Sequence, residues 1–236
     1  MSSILTGGFS IYGVIHIVYF SCKKHFKYLE MSVKSLQRLK SEHVGKIYVY
    51  ADLEDFLSDE QIKSLGVEIR KTAEPMSWGG PKVIRNEIVA YREIAEECDG
   101  SDFIGKVDSD VLFIADRILN KVAESESSFV GETHKERELI SYAIGSSYFF
   151  RANLAENFKF DQALCDRLKG VIQFGVCPED FYVYHMISCI TKEIQFTRIN
   201  THDLYAKVGS VMHFCHKRKN QMRLFYKLLI RNDDKI

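Results

Sequence analysis

Two aspartates separated by one residue, Asp108-Ser109-Asp110, carry the clearest chemical signal in this chain of 236 residues. They follow the run Phe103-Ile-Gly-Lys-Val107 and precede Val111-Leu-Phe-Ile114, so the acids interrupt a core-forming segment. In extended backbone, residues two apart project to the same side. Asp108 and Asp110 can therefore present both carboxylates to one point while Ser109 faces away. Charges of one sign held that close repel unless a proton or a cation lies between them. Mg²⁺ or Mn²⁺ would resolve the conflict, because hard divalent ions prefer oxygen ligands and share their remaining positions with phosphates and water. A solvated turn at a strand end would carry the same triplet. The apolar flanks weigh against that reading, since burying carboxylates without a partner is costly.

Other residues could serve the same chemistry. In His213-Phe-Cys-His-Lys-Arg-Lys219, a neutral imidazole could complete a carboxylate-rich metal site, and a lysine could offer a point charge to a diphosphate. His216 competes with His213 for the first role, Lys217 and Arg218 with Lys219 for the second, and simple packing explains either histidine. Trp78-Gly-Gly-Pro-Lys-Val-Ile-Arg85 leads into a helix. Its glycines permit close backbone approach and Pro81 suits a first helical turn. Lys82 and Arg85 then sit at a helix start, where cations are unfavourable unless an anion is near; a bound diphosphate would be one such anion, and bulk solvation is the alternative. Pro178-Glu-Asp places Glu179 and Asp180 in the first turn of another helix, where acids ordinarily satisfy the dipole but could also act as a general base.

These groups need a scaffold, and the hydrophobic pattern supplies one. Val14 to Phe20, Lys46 to Tyr50, Val67 to Arg70 and Asp102 to Val107 read as strands. Phe26, Leu29, Val33 and Leu36 recur at helical spacing. Ser58-Asp-Glu-Gln61 has the form of a capping box opening a helix that Gly66 ends, and a long helix runs from Pro81 to about Cys98. A short helix around Ile118, Leu119 and Val122 is followed by strands at Phe129 to Gly131 and Gly145 to Arg151. Helices then run from about Asp161 to Gln173 and from Glu179 to Thr191, and strands at Gln195 to Ile199 and Ser210 to Phe214 close the sheet. Strand–helix alternation implies an α/β fold with mainly parallel strands, helices on both faces, and a late antiparallel part. Ligands in such sheets bind beyond the carboxyl ends of the strands. Ser21, Asp52 and Asp108 all stand at such ends, which points to a nucleotide site. Tyr19, Phe20 and Tyr50 beside them could stack a base or simply fill the core.

With these residues in place, the chain resembles the GT-A glycosyltransferases over about residues 12–220. In them a DxD follows an apolar strand after roughly a hundred residues of nucleotide-binding structure. The resemblance implies a Rossmann-like α/β/α sandwich, a nucleotide-sugar donor (a UDP-sugar is favoured), and Mn²⁺ or Mg²⁺ on the donor diphosphate. It implies that Asp110 is the firmer metal ligand, with Asp108 reaching the metal or the ribose. Ser21 and Asp52 match positions that often contact base and ribose, and Lys82 or Arg85 would face the donor. His213 and Lys219 match an HxxGxxK motif of glycogenin-like retaining enzymes, with His216 in place of the glycine. Glu179-Asp180 matches a Glu-Asp pair of inverting enzymes, making Asp180 the base and Glu179 the residue that positions the acceptor. The two likenesses imply different stereochemistry. Gly145 to Arg151 resembles the strand that lines the acceptor and donor-sugar side, and charge-rich Glu132 to Glu138 reads as a mobile loop able to close over the donor.

Composition sets the bounds. Thirty-two basic residues balance thirty-two acidic ones, so no bulk charge draws the chain to nucleic acid. Three prolines and no Pro-rich linker lead us to expect one domain over 1–236, with a basic helix at about 221–231. That helix could dock on the domain or lie against an anionic membrane, useful for a lipid-linked rather than a free glycan or protein acceptor. The six cysteines form no CxxC pair, which suits free thiols in a reducing cytoplasm. The first apolar run is too short to span a bilayer, and no signal-like order precedes it. A nucleotidyltransferase would share the nucleotide-binding half but would carry glycines after the first strand, which Ser21-Cys-Lys-Lys24 lacks. A phosphatase with an Asp nucleophile would place its DxD after the first strand. A binding scaffold without turnover is the non-enzymatic alternative.

Overall fold

A computed structural model describes residues 13–76, 80–136, 140–171, 177–197, 199, 211–214 and 219–233. Along the chain they form β1 (Ile15–Ser21), α1 (Phe26–Arg38), β2 (Val44–Ala51), α2 (Asp59–Leu65), β3 (Glu68–Lys71), α3 (Pro81–Ala95), β4 (Phe103–Val107) and β5 (Val111–Phe113). There follow α4 (Arg117–Ala123), β6 (Phe129–Glu136), β7 (Ile140–Arg151), α5 (Gln162–Val171), α6 (Glu179–Ile190), β8 (Ile194–Phe196), β9 (Val211–His213) and α7 (Lys219–Asp233). The main sheet has the order β3-β2-β1-β4-β7-β6-β8. β7 runs antiparallel to both neighbours, and the other pairings are parallel.

β1 is buried along its whole length because both sides of the sheet are covered. Its side chains alternate: Val18 and Phe20 join the cluster with α3 and α6, whereas Ile17 and Tyr19 join the one with α1 and α4. That is why the strand reads as an unbroken apolar run rather than an alternating one. On α1 the stripe Phe26, Leu29, Val33 and Leu36 is buried. α2 opens on the expected capping box, with Ser58 and Gln61 bonded reciprocally, and closes on Gly66 at φ 62°, a left-handed residue that glycine adopts without strain. Gly105 in β4 has a different purpose. A Cβ there would stand 2.6 Å from Cδ1 of Phe149, its partner across the β4–β7 pair. The missing side chain lets β7 pack closely against the strand that delivers Asp108.

Two expectations change. The strand at Ser210 to Phe214 does not close the main sheet. β9 pairs antiparallel with β5 in a separate two-stranded sheet, and β5 is too short for periodicity to announce it. The Glu132 to Glu138 stretch is not a loop where it is described: β6 continues to Glu136, paired with β7, and 137–139 lie outside the described residues. Backbone ladders need no apolar side chains, so a charged stretch can be strand. The C-terminal helix starts at Lys219 and is docked. Its Met222 and Leu229 are buried with Tyr28 and Met31 of α1, Leu112 of β5, and Met212 and Phe214. No helix among the described residues is long and apolar enough to cross a membrane.

Candidate active site

The site forms where β4 ends. Val107 pairs with Tyr19 of β1 on one side and with Ser147 of β7 on the other. The chain then leaves the sheet, and the Asp108 amide donates to the Ser146 carbonyl at 3.0 Å. At Asp110 it is caught by the small sheet: the Phe214 amide donates to the Asp110 carbonyl at 3.0 Å, and Val111 faces His213 across the β5–β9 pair. A residue a hundred places away in sequence is thereby delivered to the aspartates by backbone pairing. Nε2 of His213 is 3.2 Å from Oδ1 of Asp110 and 3.9 Å from Oδ2 of Asp108. Potential ligand atoms of all three residues lie within 4.8 Å of one another.

Burial works against a charged His213, but the hydrogen bond to Asp110 and the charges of Asp110 and Asp108 outweigh it and raise its pKa. The imidazole thus faces both carboxylates and holds a proton more tightly than a free histidine does. Only the neutral ring can serve as a ligand, so a metal ion here would compete with that proton. Two carboxylates and an imidazole fit Mn²⁺ or Mg²⁺, and the softer nitrogen leans towards Mn²⁺.

Lys106, which sequence reasoning took only as part of an apolar run, occupies the centre. It is 3 % exposed. Its Nζ donates to Oδ1 of Asp108 at 2.5 Å and stands 3.9 Å from Oε1 of Glu179. Burial disfavours its charge, yet Asp108, Glu179 and Glu87 together raise its pKa far above that of an ordinary lysine. One buried cation therefore joins the DxD to the acids of α6. A lysine inside an otherwise apolar strand, two residues before an acid, was the available signal.

On the far side of Lys106 stand Glu179 and Asp180, with Glu87 of α3 behind them. Glu87 is 1 % exposed, and burial pushes its carboxyl well above the usual range, with Lys106 opposing. Asp180 is pushed up to about 7, first by burial and then by Glu179, although it accepts a hydrogen bond from the Phe181 amide. Its pKa therefore lies near neutrality, where a general base works best. Glu87 has no counterpart in the sequence reading. It falls on the buried side of α3 with Ile84, Ile88 and Tyr91, an acid on an apolar stripe. Behind it the Tyr91 and Tyr148 hydroxyls are bonded at 2.8 Å.

The remaining candidates divide. Ser21 ends β1, two residues beyond Tyr19, the last residue of the strand to pair with β4. It is fully buried, and its hydroxyl has no hydrogen-bond partner among the described residues. Asp52 is adjacent: its amide donates to the Ser21 carbonyl at 2.9 Å, and one carboxylate oxygen accepts from the Glu54 amide. Lys219 opens α7 with its Nζ 5.9 Å from the Tyr28 ring centre. The Tyr28 phenol is itself raised by burial and then by the Asp110 charge, so Lys219 lies on the metal side of the site. Lys82 is exposed at the start of α3. The anion beside Arg85 is Glu74, bonded to its guanidinium at 2.6 and 3.0 Å. Tyr19, Phe20 and Tyr50 are core residues; Phe20 stacks on Tyr50 inside the α3 face. Trp78, Gly79, His216, Lys217 and Arg218 lie outside the described residues.

No protein-family model matches the chain, and no curated protein does. Solved structures match it throughout. A galactosyltransferase, LgtC, in complex with donor and acceptor sugar analogues superposes with a TM-score of 0.60 at 11% identity, over 90% of this chain and 95% of that one. A glycosyltransferase involved in glycosylating the major capsid of PBCV-1 gives 0.54 at 13% identity, over 89% and 99%. A 4-diphosphocytidyl-2C-methyl-D-erythritol synthase from Anaerococcus prevotii gives 0.51 at 10% identity, over 91% and 99%. At these identities the likeness is one of fold. The chain has the GT-A fold, with its mixed, mostly parallel central sheet.

Proposed function

From the GT-A fold and the charged cluster at its centre, we propose that this protein is a glycosyltransferase. It moves a sugar from a nucleotide-diphosphate sugar, a UDP-sugar foremost, to an acceptor hydroxyl on a glycan. The observation that carries this reading is the continuity of the cluster. A candidate metal set (Asp108, Asp110, His213) and a candidate base (Asp180) are joined through one buried lysine at the end of one strand.

Each residue then has a task. Asp108, Asp110 and His213 would hold Mn²⁺ or Mg²⁺, which when bound neutralises the donor diphosphate as charge develops on it. Lys106 fixes one oxygen of Asp108 and leaves the other facing His213. Ser21 and Asp52 face the nucleoside from the ends of β1 and β2, and Lys219 offers charge to the phosphates from the opposite side. Asp180, ionised at and above neutral pH, accepts the proton of the acceptor hydroxyl as its oxygen bonds to the anomeric carbon. The bond from that carbon to the diphosphate breaks, and the nucleoside diphosphate leaves with the electron pair. Glu179 orients the acceptor and shares the field of Lys106.

A second reading, nucleotidyl transfer, is favoured by the fold match to the diphosphocytidyl-methylerythritol synthase. One experiment separates them. Purified protein is incubated with UDP- and GDP-sugars, with and without Mn²⁺, and in parallel with nucleoside triphosphate plus sugar 1-phosphate. Nucleoside diphosphate release that needs Mn²⁺ and disappears in Asp110→Ala is the expected result. Pyrophosphate release from the parallel mixture would replace the proposal with nucleotidyl transfer, and nucleotide binding without either product would leave a scaffold.

A further inference from the structure

A groove of about 360 Å³ lies between α1 and the start of α7, lined by Lys27, Glu30, Met31, Lys219, Arg223, Tyr226 and Lys227. Its charge is lopsided. Glu30, its sole acid, is already bonded to Lys27 at 3.2 Å and to Lys34 at 2.8 Å. Lys219, Arg223 and Lys227 make no ion pair with any described residue. Other cations are matched: Arg70 with Glu68 and Glu97, Arg85 with Glu74, Lys106 with Asp108, Lys169 with Asp166.

The sequence spacing sharpens the imbalance. Lys219, Arg223 and Lys227 recur every four residues, and no acid occurs from Lys219 to Arg231. On a helix, residues four apart are neighbours about 6 Å apart along the axis, and like charges there repel. The α7 stripe therefore gains from an anion that bridges it, and Lys27 extends the field from the opposite wall. Met31 is buried and Tyr226 half-buried, giving the groove an apolar floor. Such a recess suits a discrete tetrahedral group better than a flat lipid surface. Its inner end adjoins the metal side of the active site, since Lys219 lies over Tyr28 and Tyr28 feels the charge of Asp110.

We infer that this groove, which shares only Lys219 with the proposed place of the donor diphosphate, is a second anion site centred on Arg223 and Lys227, and that it takes a phosphate group borne by the acceptor. The acceptor half of this statement rests on the glycosyltransferase reading; the anion site does not. Arg223 and Lys227 clamp the phosphate, with Lys27 opposite, and so hold the acceptor chain against the rim of the active site.

Titration calorimetry on the full chain with sodium tripolyphosphate, and separately with UDP plus Mn²⁺, tests the site. Arg223→Glu/Lys227→Glu, both at exposed positions, should weaken tripolyphosphate by about tenfold or more, because two charge-assisted contacts become repulsive. The same variant should leave UDP–Mn²⁺ binding unchanged. Asp110→Ala should show the reverse pattern. Equal tripolyphosphate affinity in wild type and the charge-reversed protein would overturn the site. So would sedimentation with phosphatidylglycerol vesicles but no binding of tripolyphosphate, especially if Leu224→Ser/Leu228→Ser abolished it; that outcome assigns α7 to a membrane surface. If tripolyphosphate binds in the groove while UDP–Mn²⁺ never binds, the groove stands and the glycosyltransferase reading falls. In an active preparation, the charge-reversed protein should keep its donor hydrolysis and lose transfer to phosphorylated acceptors, leaving neutral acceptors unaffected.

Discussion

The two ends of Lys106 hold the same chemical group in opposite circumstances. At the DxD end, Asp110 is 1 % exposed but has His213 at 3.2 Å, and Asp108 has the lysine itself at 2.5 Å. At the α6 end, Asp180 and Glu87 share one lysine with Glu179, and burial prevails, so both carboxyls are pushed up. What distinguishes the ends is the cation each acid meets: His213 and Lys106 stand beside Asp110 and Asp108, whereas the acids at the other end share Lys106. On the proposed reading, the acids assigned to the metal have those partners close by, and the acid assigned to the acceptor proton has fewer. Burial and neighbouring charges act on each acid separately, so one pocket can hold carboxyls of different character.

The contrast can be attacked directly. Asp110→Ala removes the proposed buried metal ligand and should lower metal-dependent turnover most, by about a thousandfold or more, the scale of losing a preorganised electrostatic contact together with its ion. Steady-state product release against Mn²⁺ concentration reads it, and a loss below tenfold would put the metal elsewhere. Asp180→Asn should cost transfer by about a hundredfold to ten-thousandfold. It should also erase the acid limb of the wild-type rate profile, whose apparent pKa is expected at or below about 7, since a bound cation only lowers the value of about 7 set by burial and Glu179.

Asp180→Asn has a stability counterpart of determined sign. An acid whose folded pKa lies above its unfolded pKa binds more protons folded than unfolded between those two values. Wild-type stability therefore falls as pH rises from about 4, the ordinary carboxylate value, to about 7. The asparagine variant should melt a few degrees higher than wild type at pH 8 and no higher at pH 4, by calorimetry. Equal melting differences at both pH values would show that burial does not raise Asp180.

Lys106→Met tests the hub. Stranding the acids around it should destabilise the fold by about 3 kcal/mol at pH 8, on the scale of breaking a buried ion pair, and by less at pH 5, where Glu87 and Asp180, whose carboxyls are pushed up, take up protons. Should the variant fail to accumulate, Lys106→Arg keeps the charge and displaces it; it should fold and raise the Mn²⁺ requirement. The smallest effect belongs to His213→Gln. It should raise the half-saturating Mn²⁺ concentration more than that of Mg²⁺, because imidazole nitrogen suits the softer ion.

By itself the sequence determined the alternation of strands and helices, the capping box at Ser58 and its glycine stop, and the two acids at the end of β4. All of these are encoded locally, in periodicity, turn chemistry and apolar flanks. It also placed Glu179-Asp180 at the head of a helix, though a helix start explains acids without any chemistry. Only the tertiary structure decided what those acids meet. A strand at Ser210 to Phe214 was legible, but not its departure from the main sheet to pair with the three-residue β5, and that pairing is what brings His213 to Asp110. Lys106 passed as part of an apolar run and Glu87 drew no notice on α3 until the packing of β4 against α3 and α6 put opposite charges together. The charge state of a buried acid depends on neighbours remote in sequence, and no local pattern records them.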